Sequence, residues 1–265
     1  MNYNLLRQSF AERRVSLLIY AIGVAAYGIM ILAIWPSMQN TGITELWDRY
    51  PESIKKAFGA SINFGTFDGF MTLEYFAQMW VIVMAAYAIS VATGSLAGEI
   101  EKGTMELLLG QPISRRAIVV TRHLYFSLGL IVLIAATMAP IIIGAPFAGG
   151  DISYRGLAAL SLQAFLFYAA IGSIAFFFSA SFSSRGRALF ASLGILIASY
   201  ALDLLSKFSD FVDHFHRLSL FYYYDPYRYV HDVSFAWGDL AVLAAIIVFF
   251  TAGAVVWFER RDIAV

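Results

Sequence analysis

The chain has 265 residues, 60% of them apolar and 14% charged, with a mean hydropathy of +0.71 and 18 basic against 18 acidic residues. These values exclude a soluble domain of ordinary composition. Cysteine is absent, which excludes disulfides, thiolate chemistry and cysteine-ligated metals. The balanced total charge points to no class of partner, and no nucleic-acid partner is expected.

A helix needs roughly 20 apolar residues to cross a hydrocarbon core of about 30 Å. Stretches near 15–35, 74–98, 117–142, 157–181, 188–205 and 234–258 meet or approach that length. Non-helical backbone would strand its polar groups in lipid, so the expected fold is all-α. It is a six-transmembrane-helix bundle in one transmembrane domain over 1–265, with short amphipathic helices at either face. The lipid bilayer is thus its first partner.

At the start, Tyr3, Leu6 and Phe10 recur on one helical face, with Gln8 and Glu12 opposite. Residues 3–14 therefore read as a short interfacial helix, or alternatively as a frayed tail. Trp35-Pro36 closes the first apolar run, which is too long for a cleavable signal and lacks a small-residue cleavage site. No lipidation motif is evident at either end. In the segment 36–73, Leu46, Trp47, Tyr50, Ile54 and Phe58 recur at helical spacing opposite a charged face, and Gly59 suits a C-cap.

The second span ends in Gly94, Ser95, Ala97 and Gly98, small residues that permit close packing. GEIEKGTMELLLGQPISRR, residues 98–116, follows as the one dense polar block. Thr104–Leu109 reads as one or two helical turns stopped by Gly110 and Pro112, and Ser114 as the cap of the third span. Pro140 is expected to end that span, and Pro146 with Gly149-Gly150 to turn the chain. A tight basic loop around Arg185 and Arg187 joins spans four and five. An aromatic segment, 206–233, precedes the last span.

Six spans place both termini on one side. If that side is cytoplasmic, its segments hold 11 of the 18 basic residues, including Arg13 and Arg14 before the first span and Arg260 and Arg261 after the last. The positive-inside rule therefore gives a multi-pass protein of the inner or plasma membrane with both termini cytoplasmic.

Catalytic chemistry has little foothold. Gly98 and Gly103 followed by Thr104 faintly echo a phosphate loop, but no Lys follows Gly103 and acidic residues intervene. No cofactor is expected on this chain, and if ATP drives it, another polypeptide binds the nucleotide. Asp210, Asp213, His214 and His216, with Asp225 and His231 further on, have ligand types that suit Zn²⁺. Their spacing fits ordinary structural polarity better, so no metal or catalytic site is assigned. Asp203 and Asp239 lie near span ends, where water reaches them. Arg122 lies one turn inside the third span and is expected to snorkel outward.

The block 98–116 resembles the cytoplasmic segment between the second and third helices of ABC-2-type transporter permeases, the membrane subunits of bacterial or archaeal ABC exporters. Gly98, Glu99, Glu101, Gly103, Thr104, Glu106, Leu108, Pro112, Ser114 and Arg115 fall on the family pattern G-E-x-E-x-G-T-x-E-x-L-L-x-x-P-x-S-R. Tyr224-Asp225-Pro226 before the last span and the closing Phe258-Glu259-Arg260-Arg261-Asp262 agree as well.

The resemblance implies a pair of permease copies, as a homodimer or two related subunits. Two ABC-type ATP-binding subunits would dock beneath them, carrying ATP and Mg²⁺. It also implies that 3–14 and 98–116 contact those subunits, with Glu99, Glu101, Gly103, Thr104, Glu106, Pro112 and Arg115 as the coupling residues. From their chemistry alone, these residues fit a docking surface and ordinary boundary charges equally well. Trp47, Tyr50, Tyr223, Tyr224 and Asp225 mark an external region that could handle substrate or act as a lid. The expected function is ATP-driven export of a hydrophobic or amphipathic cargo: a lipid, a drug or a peptide. The alternative is a secondary transporter or a membrane assembly protein; nearly charge-free spans count against ion coupling.

Overall fold

The computed structural model describes residues 3–39, 51, 65–233 and 235–262. Among these, six helices are long and apolar enough to cross a membrane, and there is no strand. Span 1 is Tyr3–Gln39, span 2 Phe67–Ser95, span 3 Arg115–Gly144, span 4 Tyr154–Ser181, span 5 Arg185–Ser206 and span 6 Trp237–Arg260. The amphipathic pattern expected over 44–58, with Trp47 and Tyr50, lies outside the described residues.

Span 1 corrects one expectation. Residues 3–14 are not a separate interfacial helix but the first three turns of an unbroken 37-residue helix. No Gly, Pro or capping pair interrupts Glu12-Arg13-Arg14-Val15, so nothing stops propagation there. At 1.5 Å per residue the helix is about 55 Å long, well beyond the hydrocarbon thickness. Two prolines expected to terminate spans are also accommodated: Pro36 and Pro140 both lie inside their helices, which run on to Gln39 and Gly144. Each falls near the C-terminal end, so the i→i−4 bond it removes and any kink it causes affect only the last turns of the helix.

Span 4 is the central post. It packs against spans 2, 3, 5 and 6, and 72% of its most apolar window is buried, against 22% for span 5 and 17% for span 6. Ala159, Ala164, Ala170, Ser173, Ala175 and Ser179 are fully buried there, and their small side chains let neighbouring helices approach. Spans 1 and 3 pair closely on one side of this post.

Span 2 is wound irregularly. Thr72–Met79 is π-helical between α-helical Phe67–Met71 and Trp80–Ser95. Neighbouring side chains satisfy backbone that such winding loosens. The Tyr27 hydroxyl donates to the Glu74 carbonyl at 3.0 Å, and the Tyr224 hydroxyl to that of Phe76 at 2.9 Å. Tyr75 returns a bond to the Val24 carbonyl at 2.8 Å and stacks on Tyr27 and Trp80.

The start of span 1, the end of span 6, the 97–114 segment and the loop between spans 4 and 5 gather at one end of the bundle. The opposite end is closed by the turn at Ala145–Gly150 and by the aromatic segment after span 5. That segment holds short helices at Asp210–Asp213 and Pro226–His231 with two 3₁₀ turns between them.

Candidate coupling site

The 97–114 segment forms two short helices across the ends of the spans. Leu96 breaks span 2 with φ −122°, and Ala97–Glu101 restarts it at an angle. The Ala97 N–H donates to Ser179 Oγ at 2.9 Å, fixing the break against span 4. Gly103 takes φ +72°, a left-handed turn that a residue with a Cβ adopts only with strain, and Thr104–Leu109 follows. Met105 and Leu108 are buried beneath this second helix, while Glu106 and Leu107 point away, Leu107 with 74% exposure. Gln111 and Pro112 are exposed, and Ser114 caps span 3 by accepting from the Ala117 N–H at 3.2 Å.

The acidic residues divide by environment. Glu99 is buried, with 8% exposure, and one carboxylate oxygen meets Arg122 at 2.6 Å and Arg13 at 3.4 Å. Arg122 is only 2% exposed and also donates to Ser9 Oγ at 2.8 Å. The snorkelling expected of Arg122 is therefore corrected: its guanidinium turns inward because a buried carboxylate faces it. Arg13 reaches on to the carbonyls of Gly94 at 3.0 Å and Val91 at 3.4 Å. Spans 1, 2 and 3 are thus joined through one ion triad. Burial pushes the Glu99 carboxyl above the usual glutamate range, against the opposing pull of Arg122 and then Arg13. The picture of Glu99 as a water-solvated boundary charge is corrected as well.

Glu101 is exposed and its Oε2 accepts from the Arg185 N–H at 2.8 Å, placing a carboxylate at the positive end of span 5. Arg185 in turn runs along the glycine face of span 2 to Ser90 Oγ at 3.0 Å. Thr104 Oγ1 donates to the Glu99 carbonyl at 3.2 Å, tying the two short helices together. Arg115 bonds the carbonyls of Phe258 and Arg261, and Arg261 bonds the Ala180 carbonyl and Ser183 Oγ. Spans 3, 4 and 6 are laced together by this second arginine pair.

A family model of the ABC-2 family transporter proteins matches residues 3–263. The chain belongs to that family. It is a membrane permease-type protein, and the family is one of transporters, not enzymes. A search of curated proteins gave no match.

Within this ABC-2 permease the sequence-derived residues do not form one patch. Glu99 lies inside the bundle, Gly103 and Thr104 shape the turn, and Glu101 and Arg115 hold span ends. Glu106 and Pro112 stay on the surface beside Leu107. Arg13, Arg122 and Ser9 were not among the sequence-derived candidates, although an arginine seven residues inside a span demands a carboxylate close by. At the other end, Tyr224 is buried and stacked on Phe167 at 4.4 Å. The Tyr223 carbonyl accepts from Gln163 at 3.1 Å, and Asp225 caps Pro226–His231. These three residues pack the aromatic segment against spans 2 and 4.

Among the described residues, no three His, Asp or Glu side chains are grouped to hold a metal ion. His216 instead pairs with Asp203 and Asp213, His214 with the Asp210 carbonyl, and His231 with Asp68. Asp203 also meets Lys207 at 3.1 Å, and Asp239 lies 3.9 Å from Arg228.

Proposed function

We propose that this permease is the membrane half of an ATP-driven exporter of a hydrophobic or amphipathic cargo. Two copies line the pathway, and two separate ATP-binding subunits carrying ATP and Mg²⁺ dock on the exposed side of 101–116. Both termini are cytoplasmic in this reading. The observation that carries it is the two-sided build of the 97–114 segment. Its outer side offers Leu107, Glu106 and Pro112, while its inner side is bolted to spans 1, 2 and 3 through the ion triad of Glu99.

 Movement imposed on the outer side by a closing ATPase pair would reach three spans through Glu99, Arg13 and Arg122 without passing through a flexible linker.

Two expected results test this reading. Leu107→Asp places a charge at the centre of the exposed apolar contact, so binding of the ATP-binding subunit should weaken by about tenfold or more. The variant's own melting temperature should not change, because Leu107 buries little. Pull-down and ATPase stimulation with the co-expressed subunit read the first effect, and wild-type assembly of the variant would reject the docking surface. For orientation, Arg116→Cys and Arg217→Cys each introduce the sole thiol of the chain. An impermeant maleimide applied to intact cells should label position 217 and leave 116 untouched; the reverse pattern would invert the topology.

A further inference from the structure

The π-helical turn of span 2 carries a carboxylate, Glu74, at membrane depth. At the far end of the bundle, away from the 97–114 segment, Trp35 packs on Phe67 and Phe70. Tyr27, whose hydroxyl holds the Glu74 carbonyl, lies eight residues back along span 1. At 1.5 Å per residue that is about 12 Å deeper than Trp35. Glu74 therefore belongs to the hydrocarbon zone rather than to the headgroup zone. Its side chain is half-buried, and Gln78, one turn on, is exposed. Ala77 and Met79 are exposed on the same turn. Polar and apolar side chains of span 2 thus share one outward face.

Among the described residues, no basic group pairs with the Glu74 carboxylate. Arg228 and His231, on the helix Pro226–His231 that also packs on this turn, are engaged by Asp239 and Asp68. Lys and Arg are absent from 15–35, 67–95, 123–144, 156–181, 188–206 and 237–259. The spans of a second copy therefore bring no such cation to that depth either. Left to hydrocarbon, an ionised carboxylate beside an amide is costly. The face is consistent instead with water and a visiting cation. Half-buried Tyr27, stacked on Tyr75, adds an aromatic surface that favours a cation as well.

We propose that Glu74 is a cation-binding residue of the transport pathway and that the cargo is an amphipathic organic cation. This rests on the exporter reading above and narrows its cargo class. The charged group of the cargo pairs with Glu74, Gln78 offers it a hydrogen bond, and its apolar body lies against Tyr27, Ala77 and Met79. A metal cation suits the site poorly, because it seeks six or more oxygen ligands and this face offers one carboxylate and one amide. An anionic lipid or acidic peptide is repelled by the same carboxylate.

The test uses the full chain in nanodiscs of zwitterionic lipid. Gln78→Cys introduces the sole thiol of the chain, and methanethiosulfonates modify a thiol only where water lets it ionise. Relative to a free thiol, the trimethylammonium reagent should react about tenfold faster than the sulfonate one, the effect of a single nearby carboxylate. Adding Glu74→Gln should abolish that preference. Tetraphenylphosphonium should protect the thiol and bind saturably over empty nanodiscs, and its anionic match tetraphenylborate should do neither. Glu74→Gln should weaken phosphonium binding about tenfold, while Glu74→Asp keeps most of it. An unreactive thiol, equal rates with the two reagents, or phosphonium binding that survives Glu74→Gln would overturn the site. So would a Glu74→Gln variant that melts well below the wild type, which gives the carboxylate a structural partner within the protein. None of these readouts involves the ATP-binding subunit, so this site and the docking surface at Leu107 stand or fall separately.

Discussion

Arg122→Met is expected to destabilise the permease by about 3 kcal/mol, the lower end of the cost of removing one partner from a buried ion pair. The guanidinium is 2.6 Å from Glu99 and its removal leaves a carboxylate that water barely reaches. Arg13 remains at 3.4 Å, which keeps the loss from being larger. The pH dependence has a definite sign. Burial already raises the Glu99 carboxyl, and loss of Arg122 removes the chief opposing pull. A carboxyl whose pKa is higher in the folded than in the unfolded chain favours the fold when protonated. The variant should therefore be most stable at acid pH and lose stability as pH rises through the elevated Glu99 pKa. Melting curves in detergent between acid and neutral pH measure both effects. Glu99→Gln combined with Arg122→Met should recover much of the loss, since neither charge is then left without its partner. A double variant as unstable as the single one would mean that packing around Arg122, not its charge, holds spans 1, 2 and 3 together.

The fold was legible because its cause is one-dimensional: length and hydropathy decide how many times the chain crosses, and six spans are present. Ser114 was legible for a similar reason, since a capping hydroxyl acts on N–H groups within three residues of itself. Arg122 was not. Whether an arginine near a span end reaches outward or inward depends on what the neighbouring helices present at that depth, and only packing brings Glu99 and Ser9 to it. The same holds for Glu99, which reads as a solvated boundary charge until Arg13 and Arg122 close over it. The π-helical turn at Thr72–Met79 has no local signature, because hydroxyls from Tyr27 and Tyr224, distant in sequence, help to satisfy its carbonyls. The continuity of span 1 is hidden in the sequence for the opposite reason. Its amphipathic beginning and apolar continuation differ in composition, but composition changes do not break a helix; Gly, Pro and caps do.

Gly156→Ala should be the most disruptive single-methyl substitution at the end opposite the termini. A Cβ built at Gly156 would lie 2.6 Å from the Val230 carbonyl oxygen, 2.9 Å from Val230 Cα and 3.0 Å from the Tyr229 carbonyl oxygen. All three are backbone atoms of the helix Pro226–His231, so no side-chain rotation relieves the clash. Either span 4 or this helix must move. Displacing the helix loosens the His231–Asp68 pair and pulls on Tyr224, whose hydroxyl holds the Phe76 carbonyl in the π-helical turn. Overpacking of this kind costs about 1–3 kcal/mol. Gly194→Ala is the matched control, because nothing lies within 4 Å of its Cβ position in span 5. There the same methyl should be neutral or stabilise by up to about 1 kcal/mol through helix propensity. Thermal melting of the two variants, with limited proteolysis of the 206–233 segment, separates the cases. Gly156→Ala should melt lower and be cut faster there, and Gly194→Ala should do neither. Equal behaviour of the two variants would show that span 4 and the Pro226–His231 helix are not in direct backbone contact, and that the aromatic segment is held by its rings alone.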